Sequence, residues 1–247
     1  IREHIELCSF SSFEVPLIDP SIRIELCSNY SDGGLSPSPS VFIHFKKQIK
    51  NPIFVMIRPR GGDFYYSEQE FQWIKGEVNW FKAHGASGFV LGLLCKDGSV
   101  DQKRTKILVD IAHPLPVTFH RAFDMSFDVF QALEDVILSG CKRILTSGSS
   151  KNVVEGFKAL IQLKNRAQGR IEIMPGGGVD IDNVYPLIQA GFKSIHLSSK
   201  KIVLSPMQHR ANLSMTSVSS LSSFDYVVTD LKKLNNFISY VRRYSNP

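Results

Sequence analysis

Short apolar runs rich in β-branched residues alternate along this sequence with longer stretches in which apolar positions recur every three to four residues. That alternation predicts parallel strands joined by crossover helices. Eight strands are read, over His4–Cys8, Ile22–Cys27, Ile53–Ile57, Gly88–Leu93, Val117–His120, Arg143–Thr146, Ile171–Met174 and Ser194–Leu197. Helices are expected over Ser38–Ile49, Ser67–His84, Asp101–His113, Asp128–Ser139, Val153–Arg166, Asp180–Gln189 and Asp230–Tyr244. Several of these open on Ser or Asp, as N-caps do, and Ser67 with Glu70 three residues later forms a capping box. Pro16 and Pro20 leave room for only a stub of helix between the first two strands. The Ser-rich stretch from Ser214 to Ser223 reads as a surface loop before the last helix.

Eight strand-helix units in 247 residues predict an α/β fold, one TIM-type (β/α)₈ barrel over residues 1–247 with its first helix shortened. An open doubly wound sheet uses the same alternation, but the unit count favours closure and no GxGxxG fingerprint follows the first strand. A content of 43% hydrophobic and 21% charged residues excludes a disordered or fibrous chain. The net charge of +6 comes from 29 scattered basic residues, so no nucleic-acid partner is expected. Arginines that hold a small anion account for the bias better. No stretch approaches the ~18 to 20 apolar residues that span a bilayer, so no membrane association is expected. Cysteines 8, 27, 95 and 141 form no CxxC pair, which points to a reducing compartment.

Functional groups of such a barrel stand at the carboxyl ends of its strands. Polar residues gather there. The repeat Ile5-Glu6-Leu7-Cys8 and Ile24-Glu25-Leu26-Cys27 puts Glu and Cys on one strand face and Ile and Leu on the other. With the apolar pair toward the helices, Glu6, Cys8, Glu25 and Cys27 face the axis. Neighbouring strands lie about 4.8 Å apart, which brings the two thiols within reach of one soft metal ion. Equally, they serve as small buried hydrophobes. Two inward carboxylates need partners, and Arg58 and Arg60, in Arg58-Pro-Arg-Gly-Gly-Asp63, are the candidates.

His120, Arg121 and Asp124 put a titratable ring, a fixed cation and a carboxylate at the end of strand five. Gly176, Gly177 and Gly178 after strand seven and Ser198 and Ser199 after strand eight occupy positions where barrels bind phosphate, and Thr146 and Ser147 lie beside them. A glycine-rich turn needs no ligand to explain it. In an anion-processing site Arg58, Arg60 and Arg121 hold the charge, Glu6 and His196 complete the pocket, and Glu25, Asp63, His120 or Asp124 moves the proton. No lysine stands at the end of strand six for a Schiff base, and HExxH, Walker and nucleophile-elbow motifs are absent from the sequence. No organic cofactor is predicted.

Glu25-Leu-Cys27 with Gly33-Gly34, Arg58-Pro-Arg-Gly-Gly-Asp-Phe64, Val117-Thr-Phe-His-Arg-Ala-Phe-Asp124, Leu145-Thr-Ser-Gly148, Pro175-Gly-Gly-Gly178 and His196 together resemble the CutC family, named for copper homeostasis. The likeness runs over nearly the whole chain. It implies a TIM-type barrel, a cytoplasmic home, homo-oligomers (dimers or tetramers) and Cu(I) held by Cys8 and Cys27. A third ligand such as Met125 or a histidine would strengthen that site. Two functional readings follow, a Cu(I)-binding homeostasis protein and a cofactor-independent enzyme acting on a small anionic or phosphorylated metabolite.

Overall fold

The computed structural model describes residues 4–10, 19, 21–213 and 224–245. Eight parallel strands, β1 (His4–Phe10), β2 (Arg23–Cys27), β3 (Ile53–Met56), β4 (Gly88–Leu91), β5 (Val117–Phe119), β6 (Arg143–Thr146), β7 (Glu172–Pro175) and β8 (Ser194–Leu197), pair in the order β7-β6-β5-β4-β3-β2-β1-β8. β7 and β8 lie side by side across the remaining seam, so the sheet curls into a nearly closed barrel. The helices are α1 (Pro39–Gln48), α2 (Glu68–Ala83), α3 (Gln102–Ala112), α4 (Val129–Leu138), α5 (Phe157–Ala167), α6 (Val184–Gln189) and α7 (Leu231–Ser245). The fold is the expected TIM-type barrel. The proposed stub around Pro16 and Pro20 and the Ser214–Ser223 loop lie outside the described residues.

Local chemistry sets most boundaries. Ser38, Asp101 and Asp128 cap α1, α3 and α4 through their side chains, and Ser67 with Glu70 completes the capping box of α2. Two helices start later than the apolar pattern suggests. Residues before α5 are used by the loop, because the Val153 amide donates to the Gly177 carbonyl, and the helix opens at Gly156 without a side-chain cap. Asp180 does not cap α6; it accepts from Ile181 N–H and from Lys233 on α7. An antiparallel hairpin, β9 (Lys200–Val203) with β10 (Tyr226–Thr229), stands between β8 and α7. The sequence reading missed it.

The outward strand residues Ile5, Leu7, Ile24, Leu26, Ile53 and Val55 pack with the helices in the main apolar core. The inward ones are largely polar. Nearest the amino ends of the strands, Arg23 pairs with Glu6, and Arg143 bonds Glu172 at 2.9 Å and Thr118 at 3.0 Å. Ser194 donates to the other Glu172 oxygen. Both guanidinium groups lie on the Phe54 ring, 4.8 and 5.8 Å from its centroid. Gly88 makes room for that ring, since a Cβ there would stand 2.3 Å from it. These residues form a packed floor across the barrel.

Candidate functional site at the barrel mouth

Two residues further along each strand, the same inward face supplies a second tier, as period-two geometry requires. Cys8 follows Glu6, Glu25 follows Arg23, Met56 follows Phe54, His120 follows Thr118, Leu145 follows Arg143 and His196 follows Ser194. All six line one cavity of about 260 Å³ at the carboxyl end of the barrel. Arg58, Arg121, Gly177, Gly178, Ser198 and Lys200 complete its rim.

The thiols of Cys8 and Cys27 stand 3.3 Å apart, are buried, and form no disulfide. Cys27 sits behind Cys8, in a cluster with Phe54, Met56 and Val90. The Cys27 hydrogen bond, followed by burial, pushes the Cys8 thiol well above its ordinary pKa, and burial raises Cys27. Glu25 has an oxygen within 4.8 Å of both sulfurs, so the three residues form a three-donor group.

Glu25 Oε2 faces His196 Nε2 at 3.3 Å. The two are close enough for an ion pair but not aligned for a hydrogen bond, and both atoms are without a hydrogen-bond partner among the described residues. Burial works to raise the Glu25 carboxyl, and the His196 charge outweighs it and holds the group below its usual value. Burial likewise opposes charge on His196, but the Glu25 carboxylate drives the ring well above the ordinary imidazole value.

His120 behaves oppositely. Burial, reinforced by the Arg58 charge, lowers its pKa to about 4, so the ring is neutral at physiological pH. Its Nδ1 accepts the Ala122 amide at 3.2 Å, which leaves the proton on Nε2. Phe64 packs against the ring at 5.0 Å. Gly92 allows the approach, because a Cβ there would fall 2.5 Å from Nδ1.

The expected partnership of the inward carboxylates with Arg58 and Arg60 does not form. Glu6 sits on the floor with Arg23, and Glu25 faces His196. Arg58 instead donates to the carbonyls of Asp32, Gly34 and Gly62, tying together the loops after β2 and β3. Arg60 points away from the cavity to Glu70 at 2.5 Å and Asp63 at 3.0 Å, and the Asp63 side chain is 71% exposed. Asp124 also lies outside the mouth cavity, where it accepts from Arg121, Thr146, Ser147 and the Ser149 amide. The Ser147 hydroxyl accepts from Arg121 and donates to the Ser150 carbonyl, while the Ser147 amide donates to Asp124. Gly176 is wedged where a Cβ would meet Leu145 and His196, and buried Ser199 donates to the Asp230 carbonyl. The structure therefore brings together Cys8, Glu25, Arg58, His120, Arg121, Gly177, Gly178, His196 and Ser198 from the sequence candidates.

Lys200, Arg23 and Arg143 were missed. Arg23 and Arg143 occupy inward strand positions that the same alternation marks, whereas Lys200 owes its place to the hairpin.

Fold and mouth together define a TIM-type barrel protein with a polar cavity at the carboxyl ends of its strands. A family model described as the CutC family matches residues 4–201, and the chain belongs to that family. The human protein named copper homeostasis protein cutC homolog is 42% identical over 214 residues, 86% of this chain and 78% of its own length. A CutC family protein of Vibrio campbellii is 38% identical over 244 residues, 97% of this chain and 99% of its own. The CutC crystal structure from Streptococcus agalactiae gives a TM-score of 0.73 at 32% identity, covering 78% of this chain and 96% of that one. The YdjI aldolase of Escherichia coli, 16% identical with a TM-score of 0.55 over 80% of this chain and 75% of its own, shares the barrel alone.

Proposed function

We propose that this protein handles copper, binding Cu(I) between Cys8 and Cys27. The observation that carries the reading is the pair of thiols 3.3 Å apart, one of them lining an open cavity. Soft thiolates suit Cu(I), and the relatives named for copper homeostasis agree with that chemistry. Met56 is a further soft donor in the same cluster and our candidate third ligand. Met125 does not suit that role, since it is 68% exposed and lines an outer cavity.

Both thiols carry raised pKa values and are protonated near neutrality, so metal binding must release their protons. Affinity should therefore rise with pH, by up to about a hundredfold per unit if both protons leave. Competition titration with a Cu(I) chelator under reducing conditions tests this. The Cys8→Ser, Cys27→Ser double variant should lose the site, and Met56→Leu should weaken it. Unchanged affinity in the double variant would overturn the reading.

A further inference from the structure

The mouth cavity contains more hydrogen-bonding capacity than a metal between two thiols would use. His120 is 4% exposed and Glu25 2%, yet His120 Nε2 has no hydrogen-bond partner among the described residues, and His196 Nε2 and Glu25 Oε2 face each other at 3.3 Å without a hydrogen bond. All three residues line the same space. Leaving a buried donor or acceptor unsatisfied costs about 1–3 kcal/mol, and such orphans concentrate where a ligand supplies the partner.

The tautomer fixes what His120 can offer. With Nδ1 occupied by the Ala122 amide, Nε2 carries the proton and is a donor. The depressed pKa keeps the ring neutral, so it presents an N–H to an oxygen and is poorly suited to take up a proton. Beside it, a carboxylate oxygen offers an acceptor. The cavity carries Arg58, which donates to carbonyls, Lys200, and Arg121, which also pairs with Asp124, while Phe64, Leu145 and Val179 supply apolar wall. At about 260 Å³ the cavity falls just below the ~300–1,000 Å³ of drug-sized sites, a size for a compact metabolite.

We propose that the barrel mouth binds a small hydroxylated organic anion, its charged group between Arg121 and Lys200 and a carbonyl or hydroxyl oxygen accepting the His120 Nε2 proton. A second hydroxyl donates to Glu25. Cys8, Glu25 and Met56 line this cavity as well, so the anion is measured on protein free of metal.

Calorimetry on the whole, reduced, metal-free protein tests this with glycerol 3-phosphate, glycerate, inorganic phosphate and glycerol. Glycerol 3-phosphate or glycerate should bind with a Kd below about 1 mM, and which of them binds tells phosphate from carboxylate. Uncharged glycerol and bare phosphate should each bind at least about tenfold more weakly than the better of the two. His120→Phe should weaken that ligand about tenfold or more, whereas His120→Gln, which keeps an N–H, should restore part of the loss. Lys200→Ala on the exposed rim should weaken it about tenfold without threatening the fold. The proposal fails if neither organic anion binds tighter than about 1 mM, or if the Kd is indifferent to both His120→Phe and Lys200→Ala.

Discussion

The floor and the mouth of this barrel are built from the same strands two residues apart, and they treat polar groups in opposite ways. On the floor Arg23 meets Glu6, Arg143 meets Glu172 and Thr118, and both guanidinium planes rest on Phe54. At the mouth Glu25 and His120 are buried and the His196 side chain is 13% exposed; His120 Nε2 has no hydrogen-bond partner among the described residues, and Glu25 Oε2 and His196 Nε2 face each other without a hydrogen bond. A floor that closes on itself contributes to stability. A mouth that does not close is arranged for something that arrives. Glu6 Oε1 marks the boundary, without a partner and near both Glu25 and His196.

The largest expected effect lies on the floor. Arg23→Met leaves the buried Glu6 without its ion-pair partner, and denaturant unfolding should show a loss of about 3–5 kcal/mol. Adding Glu6→Leu should recover most of it, because a buried pair replaced by apolar groups is often near neutral. If the single substitution cost under about 1 kcal/mol, the contrast between the tiers would collapse.

The mouth should show itself through pH. Folded His120 titrates at about 4 against an ordinary 6.5, so between these values the unfolded chain binds the proton and the native state does not. The stability tied to this ring is then fully present above pH 6.5 and lost as pH falls through about 4, about 3 kcal/mol in all. Glu25, whose value is also lowered, steepens the same acid limb. The readable quantity is thus the difference between the wild type and His120→Gln in unfolding free energy from pH 7 to 4. That difference should shrink toward acid. Parallel curves would show that the ring is not held neutral.

A smaller effect compares the two glycines. Gly88→Ala should push the Phe54 ring off its guanidinium partners and cost about 1–3 kcal/mol in thermal unfolding. Gly92→Ala meets His120 at Nδ1, the atom that accepts from the Ala122 amide, so it should cost a comparable amount by pushing the ring off that bond.

The barrel was legible because apolar alternation and helix caps act over a few residues. The repeat Ile-Glu-Leu-Cys fixed which face of β1 and β2 turns inward, and the structure places Ile5, Leu7, Ile24 and Leu26 against the helices. Partner choice was not legible. Attention went to arginines beyond the strand ends, while the groups that reach Glu6 and Glu172 lie within β2 and β6, brought near by barrel closure. Arg60 and Asp63 share a motif with Arg58 yet turn outward, since Glu70 on α2 competes for Arg60. The hairpin escaped because β9 and β10 are short and separated by more than twenty residues, a pairing that no local pattern encodes.

The position of Asp124 has its own consequence. One carboxylate gathers donors from Arg121 on its own turn and from Thr146, Ser147 and Ser149 across the next loop, riveting the segments after β5 and β6 to each other. A rim fixed in this way has already given up its conformational freedom during folding. An arriving molecule therefore finds Arg121 in place, and little of its binding free energy is spent on ordering that side of the entrance.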